Sequence, residues 1–421
     1  MSFDTMTSNN SPANLDSSKK CGVSIRRIPY PYRAMLAICS DLDETPNREV
    51  YFEIMRYLNT AKNTVMGPGV GLEVGNTIYF DMPPDQFSYW NTDERGREMI
   101  RALIRSGHID CLHSYGDLAT TRAHAERALE ELSKYGCNLE VWIDHSYAPS
   151  NFGADIMKGF GDVPDSEVYH ADLTCGFGVK YVWRGRITSV IGQDAPRSLK
   201  GIYNRNHPID SATTITKEFV KGIIARAGSV KYAMHGPNEV LRKAKLRDGQ
   251  KVWEFIRSNP YWGGVENNAT ADGFSDVINE QMLNELVEMR GVCILYTHLG
   301  KIRDPKEPLR LRICNALSLL AKYASEGKIL VTTTRRLLDY CKLVREVTFS
   351  VVKEDECNKI NVNVNRLETD MGGLSFYILE PHKTKVFANG REVSTLKKND
   401  PDDTGQRSVS LPWSPLEVPD F

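Results

Sequence analysis

Histidines and carboxylates recur in this chain directly after short apolar runs. MLAICS leads into Asp41 and Asp43; HIDCL leads into His113 and, four residues on, Asp117; LEVWI leads into Asp144 and His145, VKYAM into His235, and VCILYT into His298. Carboxylates and imidazoles move protons or bind divalent ions, so a gathering of them supports general acid–base catalysis or a metal centre. Asp41 and Asp43 share a face if their strand continues, and can divide into a general base and a metal ligand; the competing reading makes Asp43 or Thr45 the cap of a helix beginning near Pro46. His113 and Asp117, at i and i+4, would meet on a helical turn as a pair suited to zinc or a related ion. Against that stand a hydrogen-bonded core histidine and a helix-capping aspartate. Asp144 either orients His145 or joins a ligand shell. His298 is a candidate general acid, His235 in HGPN reads equally as a turn residue, and Asp81 before Met-Pro-Pro reads as a strand stop.

The elements that must position these residues are legible as an alternation. Eight β-type runs, at 35–40, 75–80, 108–112, 139–143, 179–183, 230–234, 292–297 and 329–333, are mostly separated by helical patterns. That order implies a parallel sheet with right-handed crossovers, and eight such strands suit a β/α barrel, where working residues sit at the C-terminal strand ends. Ala125, Ala128, Leu129, Leu132 and Tyr135 predict a helix with Thr120 or Thr121 at its N-cap and Gly136 at its end. The stretches 185–228 and 257–275 are less regular and read as long connections. After about Cys341 the period changes to short alternating strands, with Asn389-Gly390 as a hairpin signal. The expected organisation is a flexible segment 1–24, an α/β barrel unit 25–342, a small antiparallel β module 343–400 and a tail 401–421.

With 421 residues the chain exceeds the ~250 to 300 at which one core stops growing, so more than one structural unit is expected. Its 53 basic and 54 acidic residues give a net charge of -1, which provides no field for nucleic acid or an anionic membrane. The first 20 residues are polar, without the apolar core of a signal peptide, and no transmembrane segment is expected; the expected location is cytoplasmic. Nine dispersed cysteines without a C-x-x-C pair read as reduced thiols. Tyr89, Trp90 and Trp262 lie in loop-like stretches, where aromatic rings either stack on sugar rings or anchor the loops.

The order of these motifs resembles the polysaccharide deacetylases of the NodB homology type. RALIRSGHIDCLHSYGD with the helix ALEELSKYG behind it looks like that family's second motif, VCILYTHLG like its late histidine strand, and KILVTTTRRLLDY like its closing strand. The likeness spans about residues 34–342. The resemblance implies a distorted β/α barrel and a metal-dependent hydrolase of a C–N non-peptide bond, removing an acetyl group from an amino sugar or glycan intermediate. It also implies a divalent metal, zinc by preference, held by Asp43, His113 and Asp117, with Asp41 as base and His298 as acid. Three departures stand out. SDLDETP aligns either Asp41 and Asp43 or Asp43 and Glu44 with the family's two aspartates; Asp117 replaces the second histidine; and Asp144-His145 stands near the place of the missing third-motif arginine. A catalytically silent carbohydrate-binding or scaffolding protein is the alternative, and a glycosidase using paired carboxylates is a third reading. Oligomeric state is left open.

Overall fold

The computed structural model describes residues 22–41, 45–259, 271–354, 356–364 and 370–420. They divide into an α/β unit, residues 34–337 with 416–421, and a β unit, residues 1–33 with 338–415. The expected boundaries differ at both ends. The described residues up to Arg33 belong with the β unit, and the stretch expected as a tail contains the strand Ser408–Ser410.

In the α/β unit, seven of the eight expected runs are strands of one sheet: Ala34–Ser40, Gly75–Ile78, Ile109–His113, Val141–Ile143, Tyr181–Trp183, Val292–Thr297 and Ile329–Thr332. Their near-continuous burial is what parallel strands covered on both faces require. Ala34–Ser40 is central. It pairs in parallel with Val292–Thr297 over its last six residues, with Ile329–Thr332 along its first half, and with Gly75 and Asn76 at its end. From there the ladder runs through Ile109–His113, Val141–Ile143, Tyr181–Trp183 and Lys251–Phe255, all parallel, to the antiparallel edge strand Leu241–Lys245. On the other side it continues to Arg257–Ser258 and Ile187–Thr188. The fold is mixed α/β, with nine α-helices among the described residues and a curled, parallel-rich half-barrel sheet.

The Arg122–Lys134 helix has the expected form: Ala125, Ala128, Leu129 and Leu132 are buried, Thr121 is the N-cap residue and Gly136 follows at φ +62. Two expectations fail. Residues 230–234 form a turn with Val230 exposed, and the strand beside Tyr181–Trp183 is Lys251–Phe255 instead. Within the supposed connection 185–228 lies the 19-residue helix Pro208–Arg226. Among the described residues no helix is long and apolar enough to cross a membrane.

The β unit has two four-stranded sheets. One orders Ser24–Arg26, Ser375–Tyr377, Ser408–Ser410 and Lys397–Asn399, all antiparallel; the other orders Thr348–Glu354, Cys357–Asn363, Thr384–Ala388 and Arg391–Glu392. The module is not purely antiparallel, because Cys357–Asn363 and Thr384–Ala388 pair in parallel. Asn389 and Gly390 both take positive φ in the hairpin turn, as a two-residue connection demands. Val351, Ile360, Phe376, Val386 and Val409 form its core.

Candidate active site at the strand ends

Three parallel strands end together, and their last inward-facing residues form a buried group. Asp41 extends the central ladder, its N–H donating to the Thr297 carbonyl at 2.9 Å. Alternation along a strand puts Cys39 with Asp41, Cys111 with His113, and Tyr296 with His298 on common faces. Thr77 Oγ donates to Asp41 Oδ1 at 2.6 Å, and His113 Nδ1 stands 3.2 Å from that hydroxyl and 3.4 Å from Asp41 Oδ1. His298 Nε2 lies 3.6 Å from Asp41 Oδ2 and 3.1 Å from the Tyr296 hydroxyl. Asp41 is therefore a fully buried carboxylate between two imidazoles.

Toward solvent the group continues. Tyr79 stacks on His113 with ring centres 4.2 Å apart and its hydroxyl 3.3 Å from His113 Nε2. His145 stands edge-on to both rings, at 5.0 Å from His113 and 5.1 Å from Tyr79, and its Nδ1 is 2.7 Å from Asp117 Oδ1. Asp117 and His145 are part-exposed, so the site runs from a sealed base to an open rim.

The helical-turn reading of His113 and Asp117 is corrected by the backbone between them. Ser114, Tyr115 and Gly116 take φ of 50, 59 and 106, a left-handed reversal, and the helix starts only at Arg122. A Cβ on Gly116 would come within 2.2 Å of the Asp81 carbonyl, which accepts from Leu118 N while Asp81 N donates to Tyr115 O. Residue 116 has to be glycine for the loop to pass, and such strain persists only where the surroundings enforce it. Asp117 is thereby delivered to His145, 28 residues away, rather than to His113.

Burial alone would raise Asp41, but the charge and hydrogen bond of His113, with His298 and Arg257 behind them, hold its carboxyl well below the usual carboxylate range. Burial pushes His113 down to about 4 against the pull of Asp41. At neutral pH Asp41 is thus an anion facing a neutral His113. The hydrogen bond from His145, opposed by burial, holds Asp117 below its ordinary value.

The other sequence candidates are elsewhere. Asp144 accepts from Trp142 Nε1 at 2.7 Å and Phe152 N at 2.8 Å, and burial raises it to about 7. His235 is bonded to Glu218 in a separate buried cluster. Tyr89 is a core side chain whose hydroxyl donates to Glu131 and accepts from Arg101, a setting that leaves its ring no open face for a sugar. Trp90 packs edge-on against Phe80 and Tyr89 under the Arg127 guanidinium. Asp81 clamps the 114–118 loop through its main chain and pairs with Arg127. Asp43 and Trp262 lie outside the described residues.

Arg257 was missed. It is fully buried, its guanidinium 4.0 Å from the Trp183 ring and 4.8 Å from Tyr296, and its charge acts on both Asp41 and His113. The only sequence signal was an arginine closing the apolar run VWEFIR.

The divalent ion implied by the resemblance is not matched by the described donors. Among the described residues no three His, Cys, Asp or Glu side chains gather in a metal-holding group. His113 spends one ring nitrogen on Thr77 and Asp41 and the other on Tyr79, and Asp117 spends an oxygen on His145. No protein-family model matches the chain, and no curated protein matches it.

Proposed function

We propose that the chain is a hydrolase that removes an acetyl group from the nitrogen of an amino sugar or glycan intermediate. The observation that carries this reading is the buried, ionised Asp41 held between His113 and His298, with Oδ2 at 3.6 Å from His298 Nε2. In the reaction, Asp41 accepts a proton from water as the water oxygen bonds to the acyl carbon, and protonated His298 gives its proton to the sugar nitrogen as the C–N bond breaks. Acetic acid, whose proton passes to solvent, and the free amine leave. Asp41 is then protonated and His298 neutral, and transfer of one proton across their short separation restores both. Thr77 and His113 orient the Asp41 carboxylate, while Tyr79 and the Asp117–His145 pair line the approach.

The test is acetate release from N-acetylglucosamine and its oligosaccharides. Release by the full chain, lost in Asp41→Asn and His298→Ala, supports the reading. A chain that binds these sugars without releasing acetate, with or without added divalent ions, is the silent carbohydrate-binding protein instead.

A further inference from the structure

Arg257 is a buried cation whose charge acts on Asp41 while its hydrogen-bond donors stay unused among the described residues. Its backbone N–H is used, donating to the Arg186 carbonyl at 3.0 Å. Its side chain is fully buried, and among the described residues none of its three guanidinium nitrogens has a hydrogen-bond partner. A guanidinium keeps its proton in proteins, so this is a permanent cation with five N–H donors and, among the described residues, nothing for its side chain to donate to. Burying it is costly, and the rings of Trp183 and Tyr296 offset part of the cost through cation–π contact. The nearby Asp41 charge offsets more of it, but the guanidinium donors remain unfilled among the described residues.

A second bare atom shares this interior. Asp41 Oδ2 is buried and, among the described residues, also lacks a hydrogen-bond partner. Tyr296 connects the two: its ring lies under the guanidinium and its hydroxyl is 3.1 Å from His298 Nε2, the nitrogen that faces Asp41 Oδ2. Unfilled donors and an unfilled acceptor near one another call for an occupant with both characters.

We propose that Arg257 is the oxyanion receptor of the site, its guanidinium binding the acyl oxygen while the attacking water sits on Asp41. This deepens the hydrolase reading and rests on it. As the water oxygen adds to the acyl carbon, the carbonyl π pair moves onto the acyl oxygen beside the guanidinium; the pair returns to re-form C=O when the C–N bond breaks. The charge that polarises the acyl oxygen is thus a fixed side chain, built where the described residues do not assemble a metal centre. Because Arg257 is enclosed, the acyl group is compact, in the size range of formyl or acetyl, and the product carboxylate is the natural ground-state ligand of the same fork.

The experiment has two arms on the full-length chain. In the first, the melting temperature is followed against sodium acetate, with sodium chloride at equal ionic strength as control. Acetate should raise it in wild type and in Asp41→Asn, less in Arg257→Lys, and not at all in Arg257→Met. An acetate effect that survives Arg257→Met, or that wild type lacks, overturns the receptor. In the second arm, acetate release is measured after chelator treatment. The rate should persist in wild type and fall about 10²- to 10³-fold in Arg257→Met, with partial recovery in Arg257→Lys. Full turnover by Arg257→Met overturns the receptor and leaves the hydrolase standing. Arg257-dependent acetate binding without turnover of any acetylated sugar overturns the hydrolase and leaves an anion receptor.

Discussion

The α/β unit contains two buried clusters made from the same kinds of side chain, and they differ in whether their hydrogen bonds are filled. Around Glu218, one oxygen accepts from Lys221 and Ser189 N, and the other takes Thr188 Oγ and His235 Nδ1, with Arg197 3.6 Å away. Burial would raise Glu218, but His235 and Lys221 pull it down to about 2. Around Asp41, one oxygen is bonded to Thr77, the other faces His298 beyond hydrogen-bond distance, and the Arg257 guanidinium donates to none of the described residues. A complete network fixes a fold, whereas an incomplete one is stable only if something else completes it. The first cluster ties Pro208–Arg226 to the 187–189 strand end and the 229–238 turn; the second is where chemistry is expected.

Asp41→Asn separates the two clusters most sharply. Removing the base should lower acetate release by about 10²- to 10⁴-fold, the usual contribution of a positioned proton acceptor. Steady-state kinetics on acetylated glucosamine oligosaccharides checks it, and turnover within tenfold of wild type would remove Asp41 from the mechanism. Glu218→Gln should do the reverse. It leaves the charges of Lys221 and Arg197 without their anion, so denaturant unfolding should show a loss of about 3 kcal/mol, with turnover near wild type at low temperature. Arg257→Met completes the contrast with a smaller change of opposite sign. Replacing a buried cation whose side chain has no hydrogen-bond partner among the described residues by an apolar side chain of similar length should stabilise the fold by about 1 to 3 kcal/mol while turnover is lost, the signature of a residue retained for function at a cost in stability.

These clusters also mark the limit of what the sequence discloses. The strands carrying Asp41, His113 and His298 were legible because buried parallel strands are continuous apolar runs, and the residue after such a run stands at a pocket mouth. The Pro208–Arg226 helix was not, because its pattern is inverted: Ser211, Glu218 and Gly222 face inward while Ile209, Phe219, Val220 and Ile223 are exposed. Apolar periodicity cannot find a helix whose buried face is small and polar. The Asp117–His145 pair was missed for a different reason. The i, i+4 spacing to His113 was a real coincidence of sequence, but Gly116 and its two left-handed neighbours reverse the chain and hand Asp117 to another strand end. Arg257 had no motif at all; its meaning lies in the hydrogen-bond partners that its guanidinium lacks among the described residues.

The smallest effect separates the two kinds of buried group by pH. The unfolded chain's histidines titrate near 6.5, whereas burial holds His108, His113 and His170 at about 4 in the fold. Between those values the unfolded state binds protons that the folded state does not, so stability falls as pH drops through that window. Asp144 works in the opposite direction. Burial, only partly offset by the bonds from Phe152 N and Trp142, raises it to about 7 from an ordinary 3.8, so the folded state binds its proton first and stability is gained as pH falls from about 7 toward 4. The two windows overlap, and Asp144 cancels the contribution of one histidine. Asp144→Asn keeps an oxygen for Trp142 and Phe152 but cannot titrate. Its stability should therefore fall on acidification by up to ~1.4 kcal/mol per pH unit more than wild type between pH 6.5 and 4, while matching or exceeding wild type at pH 8. Urea unfolding at a series of pH values reads this directly. Parallel pH profiles for the two proteins would mean that Asp144 is ionised throughout, held by something other than the two donors it meets here.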